Sequence, residues 1–466
     1  MRTMKAFHIP GFDGELTHAD AGGTRLLFPV LTPDAVRAAV DRVMEAGARH
    51  LAGYTTDDLA AVFGRVAETW IRPSPERTAL AEAVADVTGL SPAVVERSIE
   101  VEQGNSGAGD ILAALDRDLG DHRVLDGFRP DPRLRGRARA FGPPLVAAVL
   151  TANVPGLSYL PAVRSLMVKA PLAAKLASGE PLFGPAWAAS LARVEPPLAE
   201  CLALFAWKGG APDLEAALFD KAPVVMLYGG PRALAELRAR VGPGKKVLEH
   251  GHKVGVVLVG REALSGRPAA DVLARAVALD TAMFDQRACI APQLVFAERG
   301  GGVSTEAFAE LVAERLADLE AELPPSRPSL DTAATLAQER GLAAFEAAQG
   351  EAGVFTRGTA TVVHLGAAAF EPVLPCRFLR VCAVDDLLDA VALLGQNSPY
   401  LQNAGVAVGA DRLPGLAEAL ARAGVSRICA PGRMHRPSMR WRHDGLASFM
   451  ELVRWADIEM MIEEAP

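Results

Sequence analysis

Apolar positions change period along this chain, and the changes mark its parts. From Thr32 to about Leu119 they recur at helical spacing between polar turn signals. Thr32-Pro33-Asp34 reads as a cap followed by proline in the first turn, opening an amphipathic helix over residues 35–46. Thr55-Thr56-Asp57-Asp58 and Ser91-Pro92 start further helices in the same way. The front of the chain is therefore expected to be all helical, with little chemistry visible in it.

From about Arg137 short apolar runs take over, at 145–150, 173–177, 202–207 and 224–228. Each is long enough for a buried strand. Helical stretches over 157–168, from Pro181, and over 213–219 separate them. Strands alternating with helices predict a parallel α/β sheet with crossovers, which binds ligands at the carboxyl ends of its strands. After Val247 the alternation restarts: a strand at 254–259, a helix over 268–284, and a strand at 294–297. Helices over 305–322 and 331–349 flank the proline-rich linker 324–328, and strand-like runs follow at 361–364, 377–384 and 405–408. The expected division is a helical section over 1–136 attached to the first lobe, that lobe over 137–248, a second α/β lobe over 249–426, and a tail over 427–466. The tail is expected to return to the first lobe or to a partner subunit.

At 466 residues the chain exceeds what one small core organises. Half of the residues are hydrophobic and 22% charged, the balance of a well-packed soluble enzyme. With 48 Lys plus Arg against 56 Asp plus Glu, the formal charge is −8, which argues against general nucleic-acid binding. Cys201, Cys289, Cys376, Cys382 and Cys429 form no C-x-x-C pair and no metal-ligand spacing, and read as reduced thiols of a cytoplasmic protein. The first residues hold no apolar run long enough for a signal peptide, so none is expected, and no run is long and apolar enough to span a membrane.

Five places carry candidate chemistry. Cys289 follows a long helix and precedes a strand, so its thiol is open to substrate and to activation by backbone N–H groups and Arg287. The other four cysteines stand within or beside apolar runs and read as packing thiols. Asn153, just past a buried strand, is placed either to donate to an oxyanion or simply to make the turn. Lys175 ends the next strand, with Ser178 three residues on. Such a pair holds ribose hydroxyls or a phosphate, or else the lysine is merely solvated. Gly229 and Gly230 let a cofactor approach the backbone or close a turn, and no G-x-G-x-x-G fingerprint accompanies them. Glu249 precedes His250 and His252. It is a candidate proton relay, whereas the two histidines lack a third ligand, so no metal is expected.

Four blocks resemble the aldehyde dehydrogenase superfamily and, within it, the LuxC-type acyl-CoA reductase branch. They are Thr151-Ala152-Asn153-Val154-Pro155-Gly156; Lys175 with Ser178; Phe284-Asp285-Gln286-Arg287-Ala288-Cys289; and Ser426 to Gly432 with Arg442-His443-Asp444-Gly445. They cover residues 141–455 in the family's order. The resemblance implies an aldehyde dehydrogenase-like α/β fold, with a parallel-sheet NAD(P)-binding lobe and a catalytic lobe carrying Cys289. It implies that Cys289 accepts the acyl group, that Asn153 is an oxyanion donor, and that Lys175 lies on the adenosine side of the cofactor. Ser178 and Gly179, where a carboxylate would reject a 2′-phosphate, favour NADPH, with NADH the other choice.

The expected reaction is reduction of an acyl thioester, fatty acyl-CoA or related, to the aldehyde through a cysteinyl thioester. Expected partners are acyl-CoA or a carrier-bound acyl group, with an acyl-protein synthetase or acyl carrier protein as donor, and further copies of this chain in a homo-oligomer. Two alternatives stand beside it. One is an oxidising aldehyde dehydrogenase in which Glu249, matching that family's water-activating glutamate, releases an acid. The other is a silent scaffold that keeps the fold.

Overall fold

Strands and helices alternate through two compact units in the computed structural model, which describes residues 1–131, 135–350, 352–372 and 376–459. The first unit holds Met1–Thr88, Ile99–Gly251 and the segment from Ser438 onward; the second holds Gly89–Ser98 and His252–Pro437. Residues 460–466, the end of the expected tail segment, lie outside the described ones.

A five-stranded, all-parallel sheet forms the centre of the first unit. Its order is Lys246–His250, Val224–Tyr228, Val146–Val149, Leu172–Lys175, Leu202–Phe205. The first strand in sequence, Val146–Val149, is central, and the chain builds outward to one side and then to the other. The order therefore reverses beside it, the place where open α/β sheets leave a crevice. All four of its residues are buried, as are those of Leu172–Lys175 and Leu202–Phe205, so these strands read as continuous apolar runs rather than alternating ones.

The helix Pro33–His50 covers part of this sheet. Thr32 accepts from Ala35 N–H at 3.2 Å and caps it, and Val36, Ala39, Val40 and Val43 enter the same core as Ala147, Val149, Ala203 and Phe205. Thr55 and Asp58 form a reciprocal capping box that starts Thr56–Ile71.

From Pro33 to Leu119 the front of the chain holds helices alone, as expected, but the section over 1–136 is not helical throughout. Its first residues form a three-stranded sheet, ordered Arg2–Lys5, Thr24–Pro29, Leu16–Ala21. Gly22, at φ 53°, makes the hairpin turn. Nearly every side chain of Leu16–Ala21 is exposed, so no apolar alternation betrays the strand. Gly136–Phe141 adds a further strand, paired on one side with Arg129–Asp131 and on the other with Arg454–Ile458. The tail from Ser438 onward thus belongs to the first unit, whereas Arg427 to Pro437, expected to be part of it, stay with the second, where Arg427–Cys429 joins the sheet.

The second unit is built on seven strands, ordered Ala352–Arg357, Ala360–Leu365, Phe378–Val384, Pro292–Glu298, Val254–Val259, Leu401–Ala407, Arg427–Cys429. All neighbours are parallel except the first pair. Pro292–Glu298 and Val254–Val259 are buried throughout. Among the described residues no single helix is long and apolar enough to cross a membrane.

Candidate functional site

Cys289 lies between the helix Arg267–Ala282 and the strand Pro292–Glu298. Ala270, Ala274, Val277 and Ala278 bury one stripe of that helix. Immediately after it Phe284, Asp285 and Gln286 take φ of 54°, 51° and 64°. Three successive side-chain-bearing residues in left-handed backbone cost roughly 1–2 kcal/mol each, so the surroundings must hold them.

Two of the three are held by their own side chains. Asp285 accepts from Arg377 Nε at 2.9 Å, both side chains being 1% exposed. It also accepts from Ser326 N–H at 3.3 Å and from the Ser326 hydroxyl. Arg377 donates onward to Leu323 C=O at 2.5 Å. Gln286 donates through Nε2 to the carbonyls of Pro292 at 2.8 Å and Phe378 at 2.7 Å, and accepts from Phe378 N–H at 3.1 Å. On the far side of the thiol, Asn403 donates to Ile290 C=O at 2.9 Å. A Cβ on Gly255 would stand 2.3 Å from Ala291 C=O, so glycine is required for the strand to pass this close. The Phe-Asp-Gln block is therefore the clamp of the turn that presents Cys289.

The five thiols differ in setting. Burial pushes Cys201 up to about 12 and Cys429 up to about 11, and raises Cys376 and Cys382 as well. Those four are protonated at neutral pH. Cys289 is half-buried, between buried Ala288 and Ile290.

In the first unit the other candidates gather at the carboxyl ends of the parallel strands. Asn153 follows Val146–Val149 in a half-buried loop. Gly156 closes that loop at φ 88°, where a Cβ would come within 3.1 Å of Ile99 Cα. Lys175 ends its strand with Nζ 5.9 Å from the Trp207 ring centroid, and burial pushes its ammonium below the ordinary lysine range. Ser178 and Gly179 are exposed. Glu180, the nearby carboxylate whose direction the sequence leaves open, is turned inward. It accepts from Leu182 N–H at 2.9 Å and Phe183 N–H at 2.8 Å, at the start of the helix Phe183–Val194. Gly229 N–H donates to His250 C=O at 3.2 Å, and Gly230 precedes Pro231–Arg238 with open space where a Cβ would stand.

Glu249 stands on the edge strand Lys246–His250, with Leu248 and His250 pointing to the buried side and Glu249 to the exposed one. Arg238 Nη1 pairs with it at 2.9 Å. The neighbouring histidine does what the sequence did not suggest. His250 Nδ1 meets Asp444 Oδ2 at 2.6 Å, and its ring is stacked between Tyr228 and His443, with centroids 4.5 and 4.4 Å away. Ligating atoms of His250, His443 and Asp444 fall within 4.8 Å of one another. The two imidazoles, however, lie 7° from parallel, which keeps their in-plane lone pairs in two stacked planes rather than sending them to one point. His252 takes no part in the group.

The comparisons with known proteins agree with one another. A family model described as acyl-CoA reductase (LuxC) matches residues 51–455. A long-chain acyl-protein thioester reductase of Photorhabdus luminescens is 23% identical over 356 residues, spanning 75% of this chain and 71% of that protein. Among solved structures, γ-glutamyl-γ-aminobutyraldehyde dehydrogenase from Burkholderia cenocepacia J2315 superposes with a TM-score of 0.71 at 16% identity, over 97% of this chain and 95% of that one. Aldehyde dehydrogenase 21 from Physcomitrella patens gives 0.70 at 13% identity, over 98% of each. The fold is that of the aldehyde dehydrogenases.

Proposed function

The chain belongs to the acyl-CoA reductase (LuxC) family and reduces acyl thioesters to aldehydes with NAD(P); we propose that Cys289 is the nucleophile of that reaction and NADPH its preferred reductant. The observation that carries the reading is the clamp around the thiol. Of five cysteines, Cys289 follows a strained turn held by Asp285, Gln286 and Arg377, while burial raises the other four.

The Cys289 thiolate attacks the thioester carbonyl, and the tetrahedral oxyanion takes hydrogen bonds from the Cys289 N–H and the Asn153 amide. Collapse expels the donor thiol, coenzyme A or a carrier protein, which leaves with a proton, and the acyl group stays on sulfur. The reduced nicotinamide, when bound, supplies the hydride that takes this acyl group to the aldehyde level. Collapse of the resulting thiohemiacetal then regenerates the Cys289 thiolate and frees the aldehyde. Keeping water from the acyl-cysteine is the protein's remaining task, since hydrolysis would give the acid instead.

The first unit offers what a dinucleotide needs: open backbone at Gly230, a buried lysine at a strand end, and exposed Ser178 beside it. With Glu180 engaged by the Leu182 and Phe183 N–H groups, its carboxylate is not presented to a 2′-phosphate, which supports NADPH. The name of the Photorhabdus relative supports a protein-bound acyl donor as well as acyl-CoA. An oxidising role through Glu249 gains no support from its exposed position and its ion pair with Arg238.

The test is to mix the protein with NADPH and a panel of acyl-CoA thioesters, following loss of the reduced nicotinamide and release of aldehyde. Turnover is expected, and Cys289→Ala should abolish both reduction and acylation of the protein detected by mass. Full activity in that variant, or reduction without an acylated Cys289, would overturn the assignment.

A further inference from the structure

Asp285 and Gln286 clamp the chain ahead of Cys289, and a second set of buried polar groups, all within the second unit, grips it from behind. Cys289 and Ile290 are the central residues of a tight turn, closed by Ala291 N–H donating to Ala288 C=O at 3.0 Å. Asn403, completely buried, donates through Nδ2 to Ile290 C=O at 2.9 Å. Its own carbonyl accepts from Arg427 Nη1 at 3.0 Å, and the Cys429 thiol lies 3.8 Å from the same oxygen. A guanidinium only donates. Arg427, opposite Asn403 on the neighbouring strand, therefore dictates how the amide lies, with its oxygen toward Arg427 and its N–H toward Ile290.

Arg427 is itself fixed. It donates to Met434 C=O at 2.8 Å and to Arg433 C=O at 2.7 Å. The loop carrying those carbonyls is tied to Asp280, which accepts from Gly432 N–H and from His435 N–H at 3.2 Å, and meets His435 Nδ1 at 2.6 Å. Gly432, at φ 82°, rests on the same helix, since a Cβ there would stand 3.2 Å from Ala276 Cβ. That helix, Arg267–Ala282, is the one that leads into Cys289. The bonds thus close a ring from the helix through Gly432 and His435 to Arg427, Asn403 and Ile290, and back through Cys289. The sheet does not need them, because its strands pair through their own backbones.

Two peptide planes carry the grip to the reacting end. Ile290 C=O shares a plane with Ala291 N–H, and Ala288 C=O shares one with Cys289 N–H. Pinning the first plane fixes the second through the bond between Ala291 and Ala288. Resting on Cys289 as the nucleophile, we infer that Asn403 is a positioning residue for acyl transfer: through the Ile290 carbonyl it aims the Cys289 N–H at the oxyanion, and Arg427 sets the Asn403 amide. The role belongs to steps that build a tetrahedral oxyanion. Displacement at a saturated carbon builds none and is indifferent to it.

The experiment follows acylation of Cys289 by acyl-CoA in single turnovers, read by mass, beside alkylation of the same thiol by iodoacetamide. Both are measured across pH and compared at their plateaus, where the thiol is fully ionised. Asn403→Asp keeps the shape and the Arg427 partner but has no N–H for Ile290; Asn403→Leu loses the bond without adding charge. Each should slow acylation about tenfold to a hundredfold, somewhat less than outright removal of an oxyanion donor, and leave alkylation within about twofold. Arg427→Lys should slow acylation by itself and add nothing in the Asn403→Leu background, as expected of residues that act in one chain. Unchanged acylation in the Asn403 variants overturns the proposal, and so does an equal loss of acylation and alkylation, the mark of a merely collapsed turn. Additive losses at Arg427 and Asn403 remove Arg427 from the role. Native protein that is never acylated at Cys289 sinks the nucleophile reading and the inference together, whereas normal native acylation with indifferent variants sinks the inference alone.

Discussion

Gln286 and Gln103 are both completely buried, yet one makes three hydrogen bonds and the other, among the described residues, makes none through its side chain. Gln286 belongs to a turn in strained backbone that must hold one shape, and every amide atom is committed to that end. Gln103 sits at the end of a helix whose backbone is already secured by Tyr159 and Ser106. The difference separates two uses of buried polarity. A satisfied amide is scaffold, and its worth is paid in stability. An unsatisfied one costs stability.

That contrast is open to attack at several points. Arg377→Met should have the largest effect, because it strands Asp285 as a buried charge. We expect a loss of about 3–5 kcal/mol in chemical denaturation, with acylation of Cys289 slowed in single-turnover measurements. Unchanged stability would mean that the clamp is ornamental. Gln286→Leu should follow, losing about 2–3 kcal/mol because Phe378 N–H and two carbonyls go unpaired. Gln103→Leu, the same chemical change, should leave unfolding unchanged or shift it toward greater stability. Equal losses at the two positions would erase the distinction.

Smaller effects probe the cofactor side. Ser178→Glu should move the NADPH to NADH ratio of kcat/KM toward NADH by about tenfold, roughly 1.4 kcal/mol, and no movement would take Ser178 out of the cofactor site. Glu249→Gln should change thioester reduction by less than about twofold, since exposed ion pairs contribute at most about 1 kcal/mol. Loss of acid formation from aldehyde in that variant would instead restore the oxidising reading.

Local pattern made much of this legible. The continuous apolar runs around 145–150, 202–207 and 224–228 are strands of one parallel sheet, because strands covered on both faces leave unbroken hydrophobic signatures. The cysteine between a helix and a strand was equally visible. What stayed hidden depended on distant partners. Nothing near Asp285 announces Arg377, 92 residues on, and nothing near His250 announces Asp444, 194 residues on. The strand Leu16–Ala21 escaped because its side chains face water and carry no period. The direction of the Glu180 carboxylate is open in the sequence and is fixed only by its bonds from Leu182 and Phe183 N–H.

The reach from Asp285 to Arg377 settles when, and not only where, the thiol becomes competent. During synthesis Cys289 emerges long before Phe378–Val384, the strand that brings Arg377 and Phe378 to the turn and lies beside Pro292–Glu298 in the sheet. Until those strands pair, the left-handed backbone of Phe284 to Gln286 is held only by the bonds to Ser326 and Pro292, and the turn lacks its buried ion pair and its bonds to the Phe378 backbone. On the role proposed for Cys289, the nucleophile reaches its working setting only once Phe378–Val384 has joined Pro292–Glu298 in the sheet.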